Sequence, residues 1–342
     1  MSAAPTFERA TARLAVDYLH AAPADVLAGE DTLAVFGFGA GAPHHDDPRY
    51  LRVALQPHGD APLEVWRGSG AVARGRDGNI AWAEDGALQF GAIELDEPAD
   101  ADGRDGDIER AAEIGYRRLL EFTRARGYRH LLRIWNYLDG ITVGDGDSER
   151  YRVFCVGRAR GLGAYGPGSC DAAMLPAATA IGRVDGARRL QVYWLASRTS
   201  GTPLENPRQL SAYRYPRQYG PQPPSFARAM LPPAGSAMPL LLSGTAAIVG
   251  HQSRHAESVQ TQLEETFANF DSLLAAAHAR RPALPARFGP GTRLKVYVRD
   301  QEELDTVARL LDARLGADVP RIVLHAAVCR RELRVEIDGV HG

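Results

Sequence analysis

Residues 321–342 read RIVLHAAVCRRELRVEIDGVHG. The pattern predicts two β-strands joined by a tight, basic turn, with Cys329 closing the first strand. In the second strand Leu333, Val335 and Ile337 fall on one face, and Glu332, Arg334, Glu336 and Asp338 on the other, because successive side chains of a strand alternate. If the polar face meets open water, Glu336 is an ordinary strand carboxylate. If it closes a pocket, a carboxylate and a thiol share that pocket with Arg330, Arg331 and Arg334 close by.

Working outward, Val259, Leu263, Phe267, Phe270 and Leu274 recur at helical spacing in ESVQTQLEETFANFDSLLAAAHAR. A Pro/Gly-rich connector, the strand RLKVYVR and a second helix follow. Asp300 and Glu303 are spaced as a capping box for that helix, Leu304, Val307, Leu311 and Leu315 form its buried stripe, and Gly316 stops it. The fold class expected is α+β: a mixed sheet with helices on one face. Residues 1–150 repeat the plan loosely. LAVFGFG, YLRVALQP, LEVWRG, NIAWAEDG and LQFGAIEL read as strands, IERAAEIGYRRLLEFTRARG as a helix ending at Gly127, and RHLLRIWNYLDGI as a strand. An acidic loop is expected at 96–107. Two related units, 1–150 and 241–342, are thus expected in one chain. Between them, residues 151–240 form a Tyr/Arg/Pro-rich segment in which YRVFCVGRARG reads as a strand. Gly161 to Pro239 shows little periodicity and reads as a long loop, the kind of stretch that usually carries function.

Composition narrows the chemistry. The chain has 342 residues, 45% hydrophobic and 24% charged, with a formal net charge of −2. That balance argues against a nucleic-acid partner. Lys295 is the only lysine; it sits in an alternating strand, a poor place for Schiff-base chemistry. Arginine, by contrast, suits bidentate recognition of carboxylates. Cys155, Cys170 and Cys329 form neither a disulfide framework nor a metal motif. No signal-like segment opens the chain, and Pro232, Pro233, Gly235, Pro239 and Gly244 interrupt its most apolar window. The expectation is a cytoplasmic protein with no membrane partner.

Three weaker signals are set aside. GFGAGA (37–42) has its third glycine in the wrong place for a dinucleotide fingerprint, and PHHDDP follows where a helix must begin. His44, His45, Asp46 and Asp47 are consecutive and read as a polar loop. His251 and His255 have the spacing of two helical zinc ligands but no third, so hydrogen bonding at a helix start is favoured and no metal is expected. The loop ENPRQLSAYRYPRQYGPQPPSFARAM (205–230) gathers arginines and tyrosines between prolines, a combination suited to an aromatic-sized anion.

From Ser243 to Gly339 the chain resembles the RidA (YjgF) family, whose fold is chorismate mutase-like. The marks are SGTAAIVG, then Gln262, Glu265, Asn269 and Leu273, then VYVRD, then LRVEIDGV. From about residue 30 to its end it resembles the chorismatases, through WNYLDGI, YRVFCVGRA, ENPRQLSAYRYP, PSFARA, SGTAAIVGHQSRH and CRRELRVEIDG. It is most similar to the hydroxybenzoate-forming members.

The resemblance implies an enzyme that takes chorismate to pyruvate and 3-hydroxybenzoate, with 4-hydroxybenzoate left open as a second product. It implies no cofactor. Glu336 maps to the family's acid/base carboxylate and Cys329 to the position that separates product types. A companion position falls on Ala246, beside Gly244. Substrate-holding residues are expected among Arg158, Tyr213, Tyr215 and Arg228, with Arg152, Arg208 and Arg217 as possible exchanges. Two other readings stay open, a RidA-like enamine/imine deaminase and a non-catalytic protein that binds an aromatic acid. Monomer and trimer are both compatible with the sequence.

Overall fold

A computed structural model of the chain describes residues 12–99, 107–163 and 171–342. The central part of the expected acidic loop and Cys170 lie outside them. Three sheets dominate. The four-stranded sheet runs Ala15–Leu19, Leu63–Arg67, Thr32–Phe38, Tyr50–Val53. The six-stranded sheet runs Ala177–Arg183, His130–Asp139, Arg189–Ser197, Leu88–Asp96, Ile80–Glu84, Ala73–Asp77, so strands from both sides of residue 150 share it. The seven-stranded sheet runs Thr202–Leu204, Ala229–Leu231, Leu240–Ala246, Val335–His341, Arg293–Val298, Arg321–His325, Gln56–Pro57.

Alternation along the strands sorts side chains into layers. Ile134, Leu138, Val192 and Trp194 pack under the helices Ile108–Ala125 and Arg150–Gly161. Trp135, Tyr137, Tyr193 and Leu195, one residue out of step, face inward and meet Phe36 and Trp66 of the four-stranded sheet. In the seven-stranded sheet Leu240, Leu242, Val296, Val335 and Ile337 lie under the helices Val259–Arg280 and Leu304–Leu315, while Leu241, Tyr297 and Val340 face the shared interior. The α+β class with helices on one sheet face therefore stands. Each fully buried aliphatic or aromatic side chain contributes on the order of 2 kcal/mol, so both sheet faces add to stability.

Three local expectations are corrected. YRVFCVGRARG is not a strand but the helix Arg150–Gly161. Val153, Phe154 and Val156 favour a strand locally, but Gly157 and Gly161, one turn apart, let this helix lie against Ile108–Ala125. A Cβ at Gly157 would stand 2.0 Å from the Glu109 carbonyl oxygen, and one at Gly161 2.7 Å from that of Glu113. Tertiary packing overrides propensity here. The stretch Gly161 to Pro239 is not one long loop. It holds two strands of the six-stranded sheet, Ala177–Arg183 and Arg189–Ser197, which are buried on both faces and so show no polar alternation. The capping box at Asp300 does not form: a 3₁₀ turn, Gln301–Glu303, precedes the helix, and the Asp300 carboxylate pairs with Arg299 and Arg334.

Candidate active site

The strand Val335–His341 pairs with Leu240–Ala246 on one side and Arg293–Val298 on the other. This central position buries its polar face: Glu336 is 5% exposed and Asp338 fully buried. The pairing register shifts between Leu242 and Thr245, so Ser243 and Gly244 form a bulge. Ser243 Oγ accepts from the Ala178 amide at 2.9 Å and donates to the Ala227 carbonyl at 2.5 Å, fastening the edge of the six-stranded sheet to the bulge. Gly244 then faces Glu336, and a Cβ there would lie 1.9 Å from Glu336 Oε1. Only glycine leaves room for the carboxyl in this position.

Two buried amides of the helix Val259–Arg280 hold this geometry. Asn269 Nδ2 donates to the carbonyls of Ala246 and Ile248 at 3.0 and 2.9 Å. Gln262 Nε2 donates to the Glu332 carbonyl at 2.8 Å, and its Oε1 accepts from the Arg334 amide at 2.7 Å. The glutamine and asparagine of the RidA-like pattern thus hold the turn ahead of Glu336 and the end of the strand Leu240–Ala246 beside it.

Between these elements lies a cavity of about 440 Å³, with Glu336, Cys329, Gly244, Ala246 and Thr179 among its lining residues. Cys329 Sγ is 3.9 Å from Glu336 Oε2. Cys329 does not end a strand: the strand stops at His325, and the chain crosses to the six-stranded sheet through paired amides of Gly182 and Ala327 before reaching the cysteine. Burial, and then the charge of Asp338, push the Glu336 carboxyl up to about 8, against smaller opposing effects of Arg133, Arg228 and the Cys329 thiol. Burial and the neighbouring Glu336 also push the Cys329 thiol well above its ordinary range. At neutral pH the pair is a carboxylic acid beside a thiol rather than two anions.

The walls are cationic and aromatic. Arg158 Nη2 donates to the Ser225 carbonyl at 2.8 Å, and its guanidinium lies 5.2 Å from the Tyr116 ring centre. Arg228 Nη2 donates to Tyr215 Oη at 2.7 Å and the Leu210 carbonyl at 2.8 Å, beside the Phe226 ring. The Nε of each arginine is buried with no hydrogen-bond partner among the described residues. Both arginines line the cavity, and an unpaired buried donor is costly unless a ligand satisfies it. Arg330 stacks at 4.0 Å over Tyr219 and 5.0 Å over Tyr215. Arg152, Arg331 and Glu149 also border the cavity.

The family model "Chorismatase FkbO/Hyg5-like, N-terminal" matches residues 64–196. A chorismatase of Streptomyces hygroscopicus is 39% identical over 82% of this chain and 79% of its own. A 3-hydroxybenzoate synthase of the same organism is 32% identical over 86% of each chain. A chorismatase crystal structure superposes with a TM-score of 0.82 at 34% identity, covering 97% of this chain and 98% of the other.

The chain belongs to the chorismatase family.

Of the positions that the chorismatase resemblance singles out, Glu336, Cys329, Arg158, Tyr215, Arg228, Gly244 and Ala246 come together around one cavity. Tyr213 does not line it; the Arg214 guanidinium stands 5.7 Å from its ring centre. A two-residue offset in a Pro-rich loop decides which tyrosine turns inward. Among the alternative arginines, Arg152 borders the cavity, whereas Arg208 pairs with Glu265 and Arg217 with Asp147. Phe226 and Thr179 join the lining without a signal in the sequence, whereas Arg330 is visible there as part of the basic run after Cys329. His251 accepts from or donates to Tyr219 Oη at 3.2 Å, and His255 stands 3.4 Å from Glu265, both ahead of the helix at Val259. Among the described residues no helix is long and apolar enough to cross a membrane.

Proposed function

We propose that the cavity binds chorismate and that the chain converts it to 3-hydroxybenzoate and pyruvate. The names of the relatives, chorismatase and 3-hydroxybenzoate synthase, support the substrate and product. The observation that carries the reading is a buried acid, Glu336, facing the same cavity as two arginines whose Nε donors lack partners among the described residues. Chorismate is a dianion carrying an acid-labile enol ether, and this cavity offers donors for its carboxylates and a proton for its ether.

We assign Glu336 as general acid. Its proton goes to the methylene carbon of the enolpyruvyl group, and the bond between ring C3 and the ether oxygen breaks. The C4 oxygen closes on C3 as its proton passes to the Glu336 carboxylate, which restores the acid; pyruvate leaves, and an arene oxide remains. Opening at the C4–oxygen bond with loss of one ring proton yields 3-hydroxybenzoate, and no water is consumed. Arg158 and Arg228 hold the carboxylates and fix the ring against the acid, a positioning effect that lowers the entropic barrier. Cys329 occupies space next to Glu336 that a water would otherwise take. The segment 151–240 supplies the substrate-binding side chains, and 241–342 the acid.

The test is direct. Incubation with chorismate should release pyruvate, read through lactate dehydrogenase, together with an aromatic product that chromatography identifies as 3-hydroxybenzoate. Glu336→Gln keeps the shape but loses the transferable proton, so turnover should fall about 10²–10⁴-fold. Ammonia from 2-aminoacrylate with no pyruvate from chorismate would replace this reading by a deaminase.

A further inference from the structure

Behind Glu336 lies a charged core to which all three sheets contribute. Arg133 belongs to the six-stranded sheet, Asp338 and Lys295 to the seven-stranded sheet, and Glu64 to the four-stranded sheet. All four are at most 2% exposed. Arg133 Nη2 donates to Asp338 Oδ2 at 2.9 Å and to Thr179 Oγ1 at 2.5 Å. Tyr297 Oη donates to the same Asp338 oxygen at 3.0 Å. Lys295 Nζ donates to Glu64 Oε1 at 2.9 Å and stands 3.9 Å from Asp338 Oδ1. Burial pulls the lysine's pKa down, but the two carboxylates outweigh it and hold the ammonium above its ordinary range. Two buried cations thus face two buried carboxylates, and the set is neutral before Glu336 is counted.

We infer that Asp338 is a positioning residue for Glu336: with the core behind it charge-balanced, its carboxylate obliges Glu336 to remain an uncharged acid. Residues two apart on a strand share a face, about 7 Å between Cα atoms. Ionising Glu336 would add an unmatched charge to a buried site beside Asp338, an arrangement that low dielectric penalises. The groups around Glu336 leave this balance in place. Tyr297 and Lys295 flank it from the strand Arg293–Val298, and the strand on its other side presents only Gly244 and Ala246. Arg133 and Arg228 oppose the effect, but Arg133 is engaged by Asp338 and Arg228 by Tyr215. Cys329 and Tyr151 are both held protonated by burial. Lys295 compensates Glu64 and Asp338, so removing it would leave their charge unbalanced behind the acid.

This inference rests on the assignment of Glu336 as the acid, so the experiment reads the carboxyl as well as turnover. The protonated carboxyl band of Glu336 is followed against pH by infrared spectroscopy and identified by its loss in Glu336→Gln, alongside the pH profile of kcat. In Asp338→Asn the band should titrate about one pH unit lower, and the basic limb of the profile should move with it. Lys295→Met removes a cation and should move both the other way, which keeps the test informative if Asp338→Asn does not fold. Tyr297→Phe keeps every charge and should leave the titration in place. A band that moves while the kcat limb stays would support the charge balance and remove Glu336 as the acid. A band that titrates unchanged in folded Asp338→Asn or Lys295→Met, or that moves as far in Tyr297→Phe, overturns the inference.

Discussion

Replacing Glu336 by glutamine should make the protein more resistant to alkaline conditions even as it loses activity. A buried carboxyl held at about 8 against an ordinary 4.5 favours folding only while protonated. Its contribution is fully present below about pH 4.5, declines as pH rises, and is gone above about 8. At 1.36 kcal/mol per unit, the rise from 4.5 to about 8 amounts to about 5 kcal/mol. For 342 residues the unfolding entropy is roughly 0.7 kcal/mol per kelvin, so this corresponds to about 7 °C in Tm. Glutamine cannot ionise and escapes the penalty. Calorimetric melts of both proteins in matched buffers from pH 4 to 9 give the difference curve. The Tm of Glu336→Gln relative to wild type should climb by up to about 7 °C between pH 4.5 and 8, then level off. A difference that stays constant across that window would mean that Glu336 ionises freely, and the argument for a stored proton would fail.

Gly244→Ala should abolish most turnover with the fold intact, because its methyl group would occupy the place of Glu336 Oε1, 1.9 Å away; steady-state pyruvate release and a thermal melt check both halves of that statement. Arg158→Ala and Arg228→Ala should each reduce kcat/KM for chorismate by about 2–4 kcal/mol, roughly 30- to 1000-fold. Wild-type kinetics in both would place the anion site elsewhere on the wall. Cys329→Ala opens space for a water next to the acid; the product spectrum should shift from hydroxybenzoate toward a dihydroxycyclohexadiene carboxylate while pyruvate still appears, and an unchanged spectrum would reduce the cysteine to packing.

The parts of the fold that could be read from the sequence are those whose two faces differ in polarity, whether the polar face meets water or a buried charged core. The strand Val335–His341 alternates Val335 and Ile337 with Glu336 and Asp338, and the helix Ile108–Ala125 keeps a clean apolar stripe before Gly127. Where both sides are buried against apolar neighbours, the pattern vanishes. Ala177–Arg183 and Arg189–Ser197 carry no alternation because one face meets helices and the other meets a second sheet. The helix Arg150–Gly161 depends on two glycines that matter only against Ile108–Ala125, a contact that local propensity does not encode. The same distinction runs through the site. Glu336 and Gly244 could be read because they sit in short motifs on strands, and Cys329 because it lies in the basic turn just ahead of one. Tyr215 and Tyr213 could not be told apart, since a Pro-rich loop has no period to fix which ring points inward. Arg133 and Asp338 meet across 205 residues of chain, beyond the reach of any spacing argument.

The solitary lysine has a practical consequence. Lys295 Nζ is sealed where the three sheets converge, and its side chain is 2% exposed. No other lysine competes for an amine-directed reagent. Acylation at that one nitrogen, located by peptide mapping, can proceed only when the sheets part. The protein therefore carries its own clock for global opening: the labelling rate at Lys295 counts excursions of the whole interior, undisturbed by the fraying of loops and helix ends.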